Sequence, residues 1–276
     1  MTEQQWLIGC FNRPWSPWSY DVALDGMRQA GFSVTGLVGS HQGEPFLSDD
    51  ATAEYLENLS RRIAAAQLKP IVAWLDTRHD IPLSQALEEA CRKVDKAALL
   101  GLQYLMSGGV HHQDQYDHYY QLMRLLSEYA ARRSIQIVVK PHGGCCASAD
   151  ELLTCLEKVD HFNFRIWYDA GNIIHYTGKD PVKDVERVAR WVTGFCAKDC
   201  ATLGGPVMIQ FGEGKVDFEG VFRCLLSEGF SGPIMVECCA GDSPEQVTKN
   251  ARQNRLFLEK ILPRASAQVY HRRDEG

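Results

Sequence analysis

Eight short apolar runs recur along this chain, each separated from the next by a stretch with helical spacing. The runs lie at residues 6–11, 32–38, 68–74, 103–106, 135–140, 163–168, 192–198 and 233–237. The fifth, IQIVVK, has almost no polar face. Strands of that kind are usually covered on both sides, as parallel strands are. Helices are expected over 21–30, closed by Gly31, over 51–67, and from a cap at Ser84 to Gly101. Further helices are expected over 116–133, over 149–159 with Asp150 and Glu151 in the first turn, and from Pro181 onward. The last two are expected over 217–228, closed by Gly229, and over 243–261.

Strict alternation of strand and helix implies a parallel sheet in an α/β protein. Eight such units in 276 residues imply a closed barrel, the (β/α)₈ TIM barrel. An open doubly wound sheet would need a glycine-rich G-x-G-x-x-G turn after the first strand, and none is present. No linker or shift of composition divides the chain. Residues 1–262 read as one barrel domain, and residues 263–276 as a polar tail expected to fray. The stretch 39–49 reads as a polar loop.

Composition narrows the function classes. The net charge of −6 and the lack of a basic run argue against a nucleic-acid footprint. No apolar run reaches transmembrane length, and residues 1–12 lack a signal-peptide pattern. A cytoplasmic protein without membrane partners is the expectation. The ten cysteines include the adjacent pairs Cys145–Cys146 and Cys238–Cys239. A chain of this size needs no disulfide staples, so they read as reduced thiols, most of them small apolar residues. Six (Cys145, Cys146, Cys196, Cys200, Cys238 and Cys239) map to one end of the barrel, where a soft-metal or redox site is the other reading.

Parallel α/β proteins place their chemistry at the carboxyl ends of the strands. The fifth strand runs into Lys140, Pro141 and His142, and Pro141 cannot continue a hydrogen-bond ladder. The sixth ends at Asp169, followed by Gly171 and Asn172. The seventh carries Cys196, Lys198 and Asp199, and of the last two one is expected to face solvent. The eighth ends at Glu237, and His111 and His112 follow the fourth. Two carboxylates, ammonium groups, an imidazole, an amide and a thiol would then share one mouth. Buried charges are costly, so such a cluster must be mutually paired or bound to a ligand. His175 reads as structural. Trp15 and Trp18 read either as an apolar lid over the mouth or as core.

Four motifs, in order, resemble the xylose isomerase-like TIM barrels, the sugar-phosphate isomerase/epimerase superfamily. They are KPHGG at 140–144 (compare E-N-H-G-G), YDAGN at 168–172 (compare D-P-G-N), CAKD at 196–199 (compare H-x-K-D) and GEGKVDF at 212–218. The last leads on to GFSGPIMVE at 229–237. The resemblance implies a barrel enzyme acting on a sugar or keto sugar, often as a homo-oligomer. In metal-dependent relatives a divalent ion is held by a Glu after strand five, an Asp after strand six, a His in strand seven and a Glu after strand eight. Asp169 and Glu237 match two of these positions, but Lys140 and Cys196 replace the first Glu and the His.

A protonated lysine offers a metal no lone pair and repels it. The expectation is therefore an isomerase or epimerase with a departed site that works without a metal. Lys140, Glu237 and Asp169 would be catalytic: Lys140 would hold the developing oxyanion and Glu237 would transfer the proton. His142, Asn172, Lys198 and His111 would bind substrate. A second reading keeps a Mn, Mg or Zn ion on Asp169, Glu237, His142 and Cys196. Further alternatives are a lyase or decarboxylase acting on an oxidised sugar acid, and a non-catalytic sugar-binding relative or partner subunit.

Overall fold

A computed structural model describes residues 6–38, 41 and 43–274, with side chains up to residue 269. The loop expected over 39–49 and the ends of the chain therefore lie partly outside the described residues. Eight parallel strands close into a barrel: β1 Ile8–Phe11, β2 Val34–Leu37, β3 Lys69–Trp74, β4 Tyr104–Ser107, β5 Gln136–Val139, β6 Phe164–Asp169, β7 Val192–Ala197 and β8 Ile234–Val236. Closure is made by β1 on β8, with Cys10 opposite Val236. Nine helices surround it among the described residues: α1 Tyr20–Gln29, α2 Ala53–Ala65, α3 Leu83–Leu99, α4 Tyr116–Ala131, α5 Ala149–Val159, α6 Ala170–Thr177, α7 Pro181–Val185, α8 Phe218–Ser227 and α9 Pro244–Asp274. The α/β TIM barrel expected from the alternation is the observed fold.

The helices form where an apolar stripe meets a cap. In α1, Ala23, Leu24 and Met27 bury one face, and the Ser19 side chain accepts from the Val22 N–H. In α5, Glu151 accepts from the Ser148 N–H at 3.0 Å, the reciprocal half of a capping box. Asp217 caps α8 through the Gly220 N–H at 2.9 Å. One expected cap is overturned. Ser84 lies inside α3, which starts at Leu83 behind Pro82, because proline presets an entry that needs no side-chain cap.

The final helix also corrects the sequence reading. It runs through Pro263 to Asp274 instead of stopping at 261. Ile261, Leu262, Ala265 and Val269 continue one buried stripe, so packing outweighs the single N–H that proline removes. Helix α6 was not expected, since it begins directly where β6 ends.

The core has two layers. The larger lies between strands and helices. The smaller fills the barrel with Phe11, Val34, Val38, Ile71, Val72, Met106, Val138, Trp167, Cys196 and Met235. No helix among the described residues is long and apolar enough to cross a membrane.

Candidate active site

The barrel filling positions the polar groups above it. Side chains on a strand alternate between faces, so the residue two beyond an inward one also points inward. Val138, Trp167, Cys196 and Met235 face the barrel axis. Two residues further on stand Lys140, Asp169, Lys198 and Glu237. All four are buried, none more than 2% exposed. Arg13 stands in the same relation to Phe11, in a single 3₁₀ turn after β1.

These groups meet. Lys140 Nζ lies 2.5 Å from Glu237 Oε2 and 3.0 Å from Asp169 Oδ2. Lys198 Nζ lies 3.0 Å from the same Glu237 oxygen and 3.1 Å from the same Asp169 oxygen. Two ammonium groups thus bridge two carboxylates across the barrel mouth. Arg13 Nη1 donates to Glu237 Oε1 at 2.8 Å. Asp169 Oδ1 is used differently, accepting from the Asn172 N–H at 2.9 Å as the cap of α6. Asn172 in turn accepts from Lys198 at 3.0 Å and donates to the Pro141 carbonyl at 2.6 Å.

Two glycines make this packing feasible. A Cβ on Gly171 would sit 2.4 Å from Lys198 Cγ, so the D-A-G-N glycine leaves room for the lysine stem. Gly144 has φ +52°, and its Cβ would sit 2.2 Å from the Val110 carbonyl oxygen.

The cluster holds its charges. Burial disfavours the Lys140 ammonium, yet Cys196, Glu237 and Asp169 outweigh burial and raise its pKa well above the ordinary value. Lys198 is likewise raised, with Asp169 and Glu237 prevailing over burial. Burial alone would raise Glu237, but Lys140, Lys198 and Arg13 hold its carboxyl well below the usual range. Burial, aided by Glu237, pushes the Cys196 thiol up.

The remaining predicted residues are spread around this centre. His142 is half-buried, with its ring 5.6 Å from that of Trp74 and 5.1 Å from that of Tyr176. The Tyr176 hydroxyl lies 3.3 Å from His142 Nε2. Burial, and then Lys140 and Lys198, lower the His142 pKa to about 4, so the ring is neutral near pH 7. His111 is exposed, its ring 6.1 Å from that of His142, and His112 is exposed as well. His175 donates from Nδ1 to the Gly205 carbonyl at 2.9 Å, a loop contact.

Several expectations change. Neither Lys198 nor Asp199 faces solvent. Asp199 accepts from four backbone N–H groups, of Cys200, Gly212, Gly214 and Val216, and so pins the loop of the GEGKVDF motif. Trp15 is fully buried, its Nε1 donating to Thr248 Oγ1 at 3.3 Å, so it is core and not a lid. Trp18 is partly buried against the same core. Among the described residues only Asp169, Cys196 and Glu237 group closely enough to share an ion, within 4.8 Å of one another. His142 is outside that group, and no group contains two of the six clustered cysteines.

The chemistry of the donor set does not fit a resident divalent ion. The inward oxygens of Asp169 and Glu237 already face two ammonium groups at 2.5–3.1 Å. A cation placed between them would meet two like charges, and Cys196 would have to surrender a proton that its surroundings retain.

Sequence reasoning passed over Arg13 and Tyr176. Arg13 was legible in principle, since it lies two residues beyond an inward strand residue.

Solved structures of similar fold span nearly the whole chain. A xylose isomerase-like TIM barrel protein from Mycobacterium smegmatis, in complex with magnesium, matches with a TM-score of 0.78 and 16% identity over 95% of this chain and 98% of that one. An L-ribulose 3-epimerase matches with a TM-score of 0.74 and 15% identity over 96% and 97%. A probable 3-DHS dehydratase from Bacillus anthracis matches with a TM-score of 0.70 and 15% identity over 90% and 98%. At such identities the likeness shows the fold. No curated protein matches by sequence. A family model described as xylose isomerase-like TIM barrel matches residues 24–261, and with that span of the barrel accounted for, the chain belongs to the xylose isomerase-like TIM-barrel family.

Proposed function

We propose that this protein is an isomerase- or epimerase-type enzyme that moves a proton beside the carbonyl of a sugar or keto acid. In this reading the two lysines take the electrostatic role of a metal ion. The observation that carries it is the pair of buried ammonium groups, Lys140 and Lys198, held between Asp169 and Glu237.

Removing a proton beside a carbonyl leaves negative charge on the carbonyl oxygen. Fixed N–H donors in a water-poor site stabilise that charge without reorganising. Each ammonium has three donors. Lys140 donates to Glu237 and lies in ion-pair contact with Asp169, which leaves it an N–H to offer an oxyanion. Both lysines stay protonated, so they serve as donors and not as Schiff-base nucleophiles.

Glu237 is the proton-transfer group. In the free protein three cations make it a weak base. A substrate oxygen that draws Lys140 or Arg13 toward itself relieves Glu237 of part of that field and raises its basicity as the substrate settles. Asp169 stays committed to Asn172 and the lysines, and orients them. Asn172, His142 and, at the rim, His111 are the hydroxyl-binding groups.

One observation favours a second reading. Glu237 is the one carboxylate of the cluster not engaged as a helix cap, so a lyase needing enolate stabilisation but no second base also suits the site. The dehydratase of similar fold is in keeping with it.

The test is exchange of carbon-bound hydrogen in D2O, followed by NMR, with ketoses and keto acids and chelator-treated protein. Exchange is expected, and Lys140→Met should slow it by about 10²–10³, the usual loss for one oxyanion donor. Absence of exchange with every carbonyl compound would mean a binding protein. Exchange that requires added Mn²⁺ or Mg²⁺ would refute the ammonium reading.

A further inference from the structure

The charge balance at the mouth bears on the substrate. Three cations, Lys140, Lys198 and Arg13, converge on two carboxylates, Asp169 and Glu237. Asp199 is equally buried, but it is turned into the loop over 212–216 and satisfied there by four amide N–H groups. The other titratable neighbours bring no compensating charge. They are two buried thiols, Cys196 and Cys238, and the half-buried imidazole of His142, none of them a carboxylate. One positive charge is therefore left over in a site whose members are otherwise out of water.

We infer that the substrate carries a carboxylate and that Arg13 receives it, an inference that rests on reading this cluster as a carbonyl-handling site. Glu237, the one carboxylate Arg13 reaches, is shared with both lysines, and a monoanionic ligand supplies the counter-charge that Arg13 lacks. Arg13 is the group placed to receive it. Its side chain is 37% exposed whereas its partner Glu237 is 2% exposed, so it spans the cluster and the solvent.

The guanidinium carries five N–H donors in a planar fork. Among the described residues its side chain has one hydrogen-bond partner, Glu237 Oε1, reached through Nη1. The other edge of the fork is left for a ligand. Arg13 is also well anchored. Pro14 and Trp15 beside it are buried, and Ser16 closes the turn through its N–H and its hydroxyl, both on the Arg13 carbonyl. A fixed fork of this kind matches the two oxygens of a carboxylate. A phosphate dianion would overshoot the single excess charge. The substrate class is thus a hydroxylated keto acid or sugar acid in preference to a neutral sugar or a sugar phosphate.

The probes are hydroxypyruvate, dihydroxyacetone and dihydroxyacetone phosphate, which share a hydroxyketone and differ in one substituent. Binding to the full chain is measured by calorimetry, and carbon-bound hydrogen exchange in D2O is followed in parallel. Hydroxypyruvate should bind on the order of tenfold to a hundredfold more tightly than dihydroxyacetone, as expected for hydrogen bonds to a charged group. Arg13→Gln should abolish that preference. Arg13→Lys, which keeps the charge without the fork, should keep part of it and guards against a folding defect. Equal binding of all three, no binding of any, tighter binding of the phosphate, or a preference untouched in Arg13→Gln would overturn the inference. Arg13-dependent binding of hydroxypyruvate without hydrogen exchange would leave the carboxylate inference standing and remove the proton-transfer reading.

Discussion

Replacing Glu237 by Gln is the sharpest test of how the mouth is held. The side chain is 2% exposed and its oxygens face three cations, Lys140 at 2.5 Å, Arg13 at 2.8 Å and Lys198 at 3.0 Å. The amide keeps the shape and removes the charge. Two fully buried ammonium groups would then share Asp169 alone. Breaking a buried pair by neutralising one partner costs about 3–5 kcal/mol. The Arg13 contribution is discounted, because that side chain is partly in water and screened. We expect a loss of about 4 kcal/mol in urea unfolding near pH 7 with an unchanged denaturant slope.

Lys140→Met alone should also destabilise, since it strips a partner from both carboxylates. The double variant Lys140→Met/Glu237→Gln should cost less than the sum, by roughly 0.5–3 kcal/mol, because it removes one charge of each sign and leaves Asp169 facing Lys198. Little of the effect should respond to added salt, since buried pairs are poorly screened. A cost below about 1 kcal/mol, the scale of surface pairs, would refute the reasoning. So would strict additivity in the double variant.

Three further outcomes follow from the same geometry. Purified protein should hold no stoichiometric divalent metal by elemental analysis, whereas the double variant K140E/C196H, which supplies the two altered donor types, should gain binding of Mn²⁺ or Zn²⁺ by calorimetry. Stability should fall on acidification from about pH 6.5 to about pH 4: His79 and His142, depressed by burial to about 4, stay neutral in the fold while an unfolded histidine with pKa near 6.5 takes up its proton. His79→Gln and His142→Gln should each flatten that slope in urea titrations run across the window. Asp199→Asn should loosen the loop it pins, since an amide oxygen replaces a carboxylate shared by four N–H donors; limited proteolysis should then cut within residues 201–216 at lower protease levels than in the wild type.

The order of strands and helices was legible because burial on both faces leaves a simple trace, a short run without polar residues. The ends of those runs were legible less evenly. Lys140, Asp169 and Glu237 stand alone at their strand tips, and each was placed at the mouth. Lys198 was harder, because Asp199 beside it is an equally plausible inward group. Counting by twos from Cys196, itself an inward residue, selects Lys198 and turns Asp199 outward to its loop. The same count from Phe11 selects Arg13, which was hidden because Pro14 and Trp15 give its surroundings the look of an ordinary loop. For His142 the count fails. Strand β5 ends at Val139, and beyond Pro141 the chain has left the pleat, so the imidazole lands beside Trp74 and Tyr176 and not between the carboxylates. The alternative four-ligand metal site depended on that histidine, and alternation cannot be extended past the residue that ends the ladder.

On the proposed reading, a lysine at 140, where the resemblance implies a Glu ligand, is more than the loss of a ligand. One ammonium between Asp169 and Glu237 would leave one negative charge unbalanced. Two ammonium groups, from Lys140 and Lys198, carry the charge of one divalent ion and reach both carboxylates at 2.5–3.1 Å. They differ from an ion in what they offer a substrate. An ion has open coordination positions and exchanges its ligands, whereas the lysines present N–H donors on fixed stems, Lys198 held by Asn172 and packed against Gly171, and Lys140 held by Glu237 and Asp169. Such donors polarise an oxygen only along the direction in which they point. With the metal's charge already supplied by the lysines, Arg13 becomes the surplus cation. On the proposed reading, the arrangement in which two ammonium groups take the electrostatic role of a metal is the same one that favours an anionic substrate.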